Sequence, residues 1–275
     1  MLIQCDQRLS HALETKLSSL IDACRQKEPI SLSLPQDGEY FLWIAGAEKE
    51  ALACLILCPA GPFQWECYAF THPQSRRQGL FKALYARARV LTEQEAGAAG
   101  EAADLLFLSD GLSSDGQAAL EAMDMKLQYS EYQMELSISG EKKLLGTPES
   151  ETCASPLRII RRRLSDQGLE SQLYLAFLPS SSLPEKRPFC AGTCRILPYG
   201  SGRFYLYHLE ITESFRSRGF GRALLFGVLN SLPSRSRVIL QVSSENTAAL
   251  SLYKKTGFGI TKTLSYYRRD IPDVQ

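Results

Sequence analysis

Leu209-Glu210-Ile211-Thr212-Glu213-Ser214-Phe215-Arg216-Ser217-Arg218-Gly219-Phe220-Gly221-Arg222 carries an apolar, strand-like segment through a glycine-bearing loop and straight into a helical pattern. Glycines there let the backbone approach a ligand closely, and the N–H groups at a helix start, with the helix dipole, form an anion site. Arg216, Arg218 and Arg222 add charge-assisted donors suited to phosphate oxygens. The loop is not a Walker loop, because no Gly-Lys-Ser/Thr follows, nor is it the dinucleotide fingerprint Gly-x-Gly-x-x-Gly. Alone, Arg-x-x-Gly-x-Gly serves a structural strand–helix turn as readily as a binding loop. Its neighbours have to decide.

Upstream, residues 189–196 and 203–212 are rich in Tyr, Phe, Leu and Ile and are split by Pro198-Tyr199-Gly200-Ser201-Gly202, which predicts a β-hairpin. Downstream, Leu224, Leu225, Val228, Leu229 and Leu232 have helical spacing over residues 221–232. Residues 237–243 read as a short strand and 246–255 as a helix, with Ser244 or Asn246 as N-cap and Gly257 as its stop. A last strand covers 258–268.

Shifting the chain by 140 positions lays residues 51–84 on 191–224 without a gap, so that Cys54 meets Cys194, Arg76 meets Arg216 and Gly79 meets Gly219. A repeat this long is a duplicated domain rather than a solenoid unit. The first copy predicts strands at 40–44, 51–57, 65–71, 105–109 and 127–138, and helices from 79 to about 91 and near 117–123. An amphipathic helix at 11–26 precedes them. The Ala-, Gly- and Glu-rich tract 93–103 reads as a loop or frayed helix end, and 140–156 as a linker. The expected division is therefore 1–140 and 141–275.

The segment Asn246-Thr247-Ala248-Ala249-Leu250-Ser251-Leu252-Tyr253-Lys254-Lys255-Thr256-Gly257-Phe258 makes the reading specific. Together with the loop at 216–221 it resembles the GNAT superfamily of N-acetyltransferases, whose Arg/Gln-x-x-Gly-x-Gly/Ala loop and Asn-x-x-Ala-x-x-x-Tyr-x-x-x-Gly-Phe helix occur in this order. The resemblance covers residues 157–275 and, more loosely, the first half. It implies an α/β (α+β) fold of two GNAT-like domains, each a twisted mixed β-sheet flanked by helices. It also implies acetyl-CoA held by Arg216, Ser217, Arg218, Gly219, Phe220, Gly221 and Arg222, its pantetheine arm by Asn246, and its acetyl carbonyl by backbone around Leu209 and Ile211. An amine of a small molecule or peptide would attack directly in a ternary complex, and Tyr253 would protonate the departing thiolate. The alternative is a CoA-sensing or regulatory module of the same fold without chemistry.

Relatives place Glu or His where this chain has Tyr205 and Tyr207. His208 and Glu210 have the opposite strand parity unless a bulge re-aims them, so the general base is unassigned. In the first copy Phe81 replaces Gly221, Ser113 replaces Asn246, Leu120 replaces Tyr253, and Asp124-Met125 replaces Gly257-Phe258. That half is a degenerate copy, either a weaker CoA site or a support that shapes the substrate cleft. Glu66, His72 and Glu131 could reach a shared site, but isolated polar residues of this kind are more often at the surface or satisfied by ordinary hydrogen bonds.

Hydrophobic residues make up 44% and charged residues 22%, the balance of a soluble globular protein. No stretch of about 18 apolar residues offers a membrane span, and the N-terminus lacks a secretory pattern, so the expectation is cytoplasmic. Residues 1–140 hold 11 Lys and Arg against 19 Asp and Glu, a net of −8, and residues 141–275 hold 20 against 11, a net of +9. The acidic half would favour a cationic acceptor. The basic half carries no nucleic-acid reader motif, so no nucleic-acid partner is expected, while a homodimer is left open. Cys54/Cys58 and Cys190/Cys194 lie four apart in apolar strands without further ligands at zinc spacing. They read as reduced core cysteines and not as a metal site.

Overall fold

The computed structural model describes residues 2–139, 157–166, 169–178 and 189–269. In chain order the elements are β1 (Ile3–Asp6), α1 (His11–Lys27), β2 (Tyr40–Ala45), β3 (Ala51–Gly61), β4 (Gln64–Thr71), α2 (Leu80–Ala98), β5 (Asp104–Ser109), α3 (Ser114–Ala122) and β6 (Met125–Ser137). There follow β7 (Arg158–Asp166), β8 (Leu169–Leu178), β9 (Phe189–Pro198), β10 (Arg203–Ile211), α4 (Phe220–Asn230), β11 (Arg237–Ser243), α5 (Thr247–Thr256) and β12 (Gly259–Arg269). Each copy of the repeat also has a 3-10 turn between strand and loop, Pro73–Ser75 and Glu213–Phe215. The chain is mixed α/β, as the resemblance implied.

It forms two compact units, Met1–Ser130 with Thr263–Gln275, and Glu131–Lys262. The units do not follow a linear boundary at residue 140. The later part of β6 pairs antiparallel with β11 from Glu131↔Ser243 to Ser137↔Arg237, inside the second unit. The end of β12 returns to the first unit, where Tyr266 pairs with Leu108 of β5. Each unit thus takes in part of a strand that linear order would give to the other half.

In the first unit the strands run β1-β2-β3-β4-β5-β12, with only β4 and β5 parallel. β3 is buried on both faces. Ala53, Leu55 and Leu57 pack with Leu84, Tyr85 and Ala88 of α2, while Cys54, Ile56 and Cys58 pack with Leu13, Leu17 and Ile21 of α1. That is why its sequence is a continuous apolar run instead of an alternation. Cys54 and Cys58 are buried free thiols in this packing, Cys194 is a buried free thiol of the second unit, and Cys190 is half-buried and free.

In the second unit the order is β6-β11-β10-β9-β8-β7, with β10 and β11 parallel. Its core gathers Leu224, Leu225, Val228 and Leu229 of α4 and Tyr253 of α5 onto Cys194, Ile196, Leu206, Val238 and Leu240 of the strands.

One local expectation differs. The tract 93–103 is helical as far as Ala98, because alanine is a strong helix former and Thr92 and Ala96 are fully buried. β1, β7 and β8 carry too little alternation to be read from sequence. Arg161-Arg162-Arg163 sits exposed on β7, which pairs only with β8 among the described residues. The linker expected at 140–156 lies outside the described residues.

Candidate functional site

The site of the second unit begins where β10 and β11 part. Their parallel ladder runs from Arg203↔Arg237 to Tyr205↔Ile239, while β10 continues to Ile211 and β11 to Ser243. At this point β10 bulges. Tyr207 pairs with Arg195 and Glu210 with Thr193, so His208 and Leu209 stand opposite Cys194 alone, and His208 takes φ 49°. A bulge removes ladder partners and re-aims side chains. Leu206 and Leu209 both pack into the core with two residues between them, which places Glu210 on the face of Tyr205 and Tyr207.

Gly192 of β9 is what admits the bulge. A Cβ there would lie 2.6 Å from the Glu210 carbonyl oxygen and 2.5 Å from Ile211 Cδ1. A glycine inside a strand pattern was the signal for this close approach, and sequence reasoning missed it.

Beyond β10 the chain makes its 3-10 turn, and Arg216 Nε donates to the Ile211 carbonyl at 3.0 Å, which holds the loop. Ser217 and Gly219 are left-handed, at φ 60° and 81°. Arg216, Ser217, Arg218, Gly219 and Arg222 are exposed, and among the described residues Arg216 has no carboxylate partner. The Arg218 guanidinium lies 5.8 Å from the Phe215 ring and that of Arg222 lies 5.2 Å from Phe226. No side chain caps α4, so helix geometry leaves the N–H groups of Phe220, Gly221 and Arg222 facing outward unsatisfied. The Phe220 ring itself is buried with Leu178 and Ala191. Only its backbone is available to a ligand. This donor set, arginines around bare amides, fits a diphosphate.

The loop and α5 come together. A Cβ on Gly221 would lie 3.7 Å from Leu252, next to Tyr253. Asn246 caps α5, its Oδ1 accepting from the Ala249 N–H at 3.1 Å, and Gly257 ends the helix at φ 98°. The acceptor oxygen of Asn246 is therefore committed to the helix. Tyr253 is 7% exposed with its ring edge-on to Phe258 at 5.7 Å, and its hydroxyl has no hydrogen-bond partner among the described residues. Burial, with a smaller contribution from the Cys194 thiol, pushes its phenol up to about 12. On the opposite face Tyr205 stacks against Tyr207 at 5.9 Å and donates to Gln241 Oε1 at 3.1 Å. Burial and then Glu131 raise the Tyr205 phenol as well.

The first unit repeats the loop almost dihedral for dihedral. Arg76 Nε donates to the Thr71 carbonyl at 3.3 Å, Arg77 and Gly79 take φ 62° and 76°, and Ser113 caps α3 by accepting from the Gly116 N–H at 2.9 Å. Yet β4 pairs with β3 in unbroken register from Trp65 to Thr71, without the bulge, and Leu120 fills the place of Tyr253. Of the polar residues read as isolated in the first copy, His72 caps the 3-10 turn and the Tyr68 hydroxyl donates to Glu66 at 3.5 Å. Among the described residues no group of three or more His, Cys, Asp or Glu could hold a metal ion, and no helix is long and apolar enough to cross a membrane.

Residues 170–258 match the model of the acetyltransferase (GNAT) family. Among solved structures the chain is similar to a GCN5-related N-acetyltransferase from Sphaerobacter thermophilus, at 15% identity and TM-score 0.64, covering 97% of this chain and 95% of that one. It is also similar to a tandem GNAT protein from the clavulanic acid biosynthesis pathway, at 13% identity and TM-score 0.60, covering 99% and 100%. No curated protein matches the sequence. At these identities the structural likeness is one of fold. The match to the family model is thus confined to residues 170–258, while the likeness of fold to these structures extends along the length of the chain.

Proposed function

We propose that the second unit binds acetyl-CoA and transfers its acetyl group to an amine of a small molecule or peptide. The observation that carries the reading is asymmetry: among the described residues, a loop whose Arg216 has no carboxylate partner, a strand bulge and a buried tyrosine with an unengaged hydroxyl occur together in one copy of a duplicated domain and not in the other. Acetyl-CoA supplies an activated thioester, and the residues of this chain do the rest. Arg216, Arg218 and the amides at the start of α4 hold the diphosphate. The Leu209 N–H, released from the ladder by the bulge, donates to the carbonyl oxygen as charge develops there. The amine approaches from the Tyr205–Tyr207 face, its nitrogen bonding to the carbonyl carbon as the carbon–sulfur bond breaks. Glu210, on that face, accepts the amine proton, and Tyr253 supplies a proton to the departing sulfur.

Calorimetric titration with acetyl-CoA tests the binding step. One site per chain is expected, weakened about tenfold or more in Arg216→Ala, the loss of one charged hydrogen bond. Absence of binding by the unaltered chain would overturn the proposal. A panel of primary amines (an amino acid, an amino sugar, a diamine, a short peptide) then identifies the acceptor class by CoA release.

A further inference from the structure

The first unit contains a cavity of about 530 Å³ between the ends of β4 and β5 and the starts of α2 and α3, lined by Ile30, Leu32, Phe70, Phe81, Leu108 and Met123 among others. It occupies the place in its unit that the loop and α5 frame in the second. Its arginine is not available to an anion. Arg76 Nη1 donates to Glu28 at 2.8 Å and to Asp115 at 2.7 Å, with the Glu28 side chain only 11% exposed. Glu28 also accepts from the Ser113 hydroxyl at 2.8 Å and from the Asp115 N–H at 3.4 Å. Two carboxylates therefore sit on the arginine that would otherwise hold a diphosphate, and one of them, Glu28, also ties that arginine to the start of α3. The second unit has Ala248 at the position of Asp115, counting from the cap residues Asn246 and Ser113.

A second difference acts on shape. Gly221 of the second unit is replaced by Phe81, whose ring packs edge-on to Phe107 at 5.6 Å and lines the cavity. The glycine leaves room beside its loop, and the phenylalanine covers that room with apolar surface.

We infer that the first-unit cleft is a binding site for a small uncharged molecule of largely apolar surface, and that Glu28 and Asp115 exclude CoA from it by taking the place of the diphosphate on Arg76. An anionic ligand would have to displace both carboxylates from Arg76, leaving Glu28, whose side chain is only 11% exposed, largely desolvated and unpaired, a cost that a neutral ligand does not incur. The volume is that of a small-molecule pocket, and apolar lining favours burial of apolar surface. With Leu120 in the tyrosine position and no bulge in β4, the site holds a ligand without reacting with it. The inference takes from the proposed function only that acetyl-CoA binds in the second unit.

The neutral dye Nile red serves as probe on the full chain, with acetyl-CoA binding followed separately by calorimetry. One dye per chain should bind with a blue-shifted emission, and acetyl-CoA should not displace it. Ala119→Trp, which fills the cavity, should abolish dye binding while acetyl-CoA binding at Arg216 persists. Met123→Lys, which places a charge in the same lining, should do likewise and stands in if Ala119→Trp does not fold. The Glu28→Gln/Asp115→Asn double variant frees Arg76 and should let acetyl-CoA compete with the dye at a concentration lower by about tenfold or more. Dye binding indifferent to both cavity variants overturns the apolar site. Displacement by acetyl-CoA in the unaltered chain, or an unchanged competition curve in the double variant, overturns the exclusion by Glu28 and Asp115. Loss of acetyl-CoA binding in the unaltered chain with dye binding intact would instead count against the proposed function alone.

Discussion

Tyr253→Phe isolates one oxygen atom. The ring is 7% exposed and packs edge-on to Phe258, and phenylalanine keeps both features. The hydroxyl has no hydrogen-bond partner among the described residues, so its removal should change stability by no more than about 0.5 kcal/mol. Its catalytic effect should be far larger. A positioned proton donor contributes roughly 10²–10⁴ in rate, or about 3–5 kcal/mol of barrier. A phenol raised to about 12 is a weaker acid than a free thiol near ~8.5, so it first donates a hydrogen bond to the charge growing on sulfur. Full transfer follows only because the same burial disfavours a bare thiolate. The active form is the protonated phenol, and raising its pKa extends that form upward, so no fall in rate below pH ~10 belongs to Tyr253. CoA release with the best acceptor amine, measured from pH 7 to 10 on both proteins with a thermal melt of each, checks all three points. Rates within about threefold of each other, or a rate loss accompanied by a melting shift above about 4 °C, would rule out Tyr253 as the proton donor.

Gly192→Ala should cost roughly 1–3 kcal/mol and lower turnover with little change in the loop arginines' hold on acetyl-CoA, because a Cβ 2.6 Å from the Glu210 carbonyl must push the bulge aside. Urea melts and a comparison of kcat with KM for acetyl-CoA will read this. Asn246→Ala removes the cap on the Ala249 N–H and should destabilise by about 0.5–2 kcal/mol, while Asn246→Ser should recover most of the loss in the same melts. Burial pushes the Glu28 carboxyl up, but hydrogen bonds from Ser113, Arg76 and the Asp115 amide outweigh it and hold the pKa below the ordinary carboxylate value. The stability it contributes is therefore complete above pH ~4.5 and lost as pH falls through the folded-state value. Urea melts at pH 7 and pH 4 should show Glu28→Gln less stable at pH 7 with a flatter acid decline.

Much of the site was legible because it is local. The loop at 216–221 and the helix at 247–256 are each specified within a dozen residues by glycines, a cap and apolar spacing, and the 140-residue shift lays one loop on its copy. The cap roles of Asn246 and Gly257 and the left-handed Gly219 follow from side-chain chemistry and the absence of a Cβ. What was not legible depends on partners far away in sequence. Whether His208 and Glu210 face the core or the cleft turns on a bulge opposite Cys194, a property of pairing and not of residue type. Glu28 reaches Arg76 from the end of α1, 48 residues away, and no local pattern announces that contact.

Local pattern alone specifies a duplicated α/β chain and two motifs, the glycine-bearing loop and the tyrosine helix, that are complete in only one copy. Strand and helix periodicity, glycine conformation and capping are short-range physics, and duplication preserves them. Which strand completes which unit is settled by pairing in space. β6 and β12 stand at equivalent places in the two copies, and a strand's pattern specifies that it will pair without naming its partner, so β11 takes the later part of β6 while β5 takes the end of β12. The tertiary structure also decided the fate of two equivalent arginines. Arg76 is covered by Glu28 and Asp115, and Arg216 has no carboxylate against it among the described residues. An ion pair is set by distance in space, and the same local motif therefore ends in two different sites.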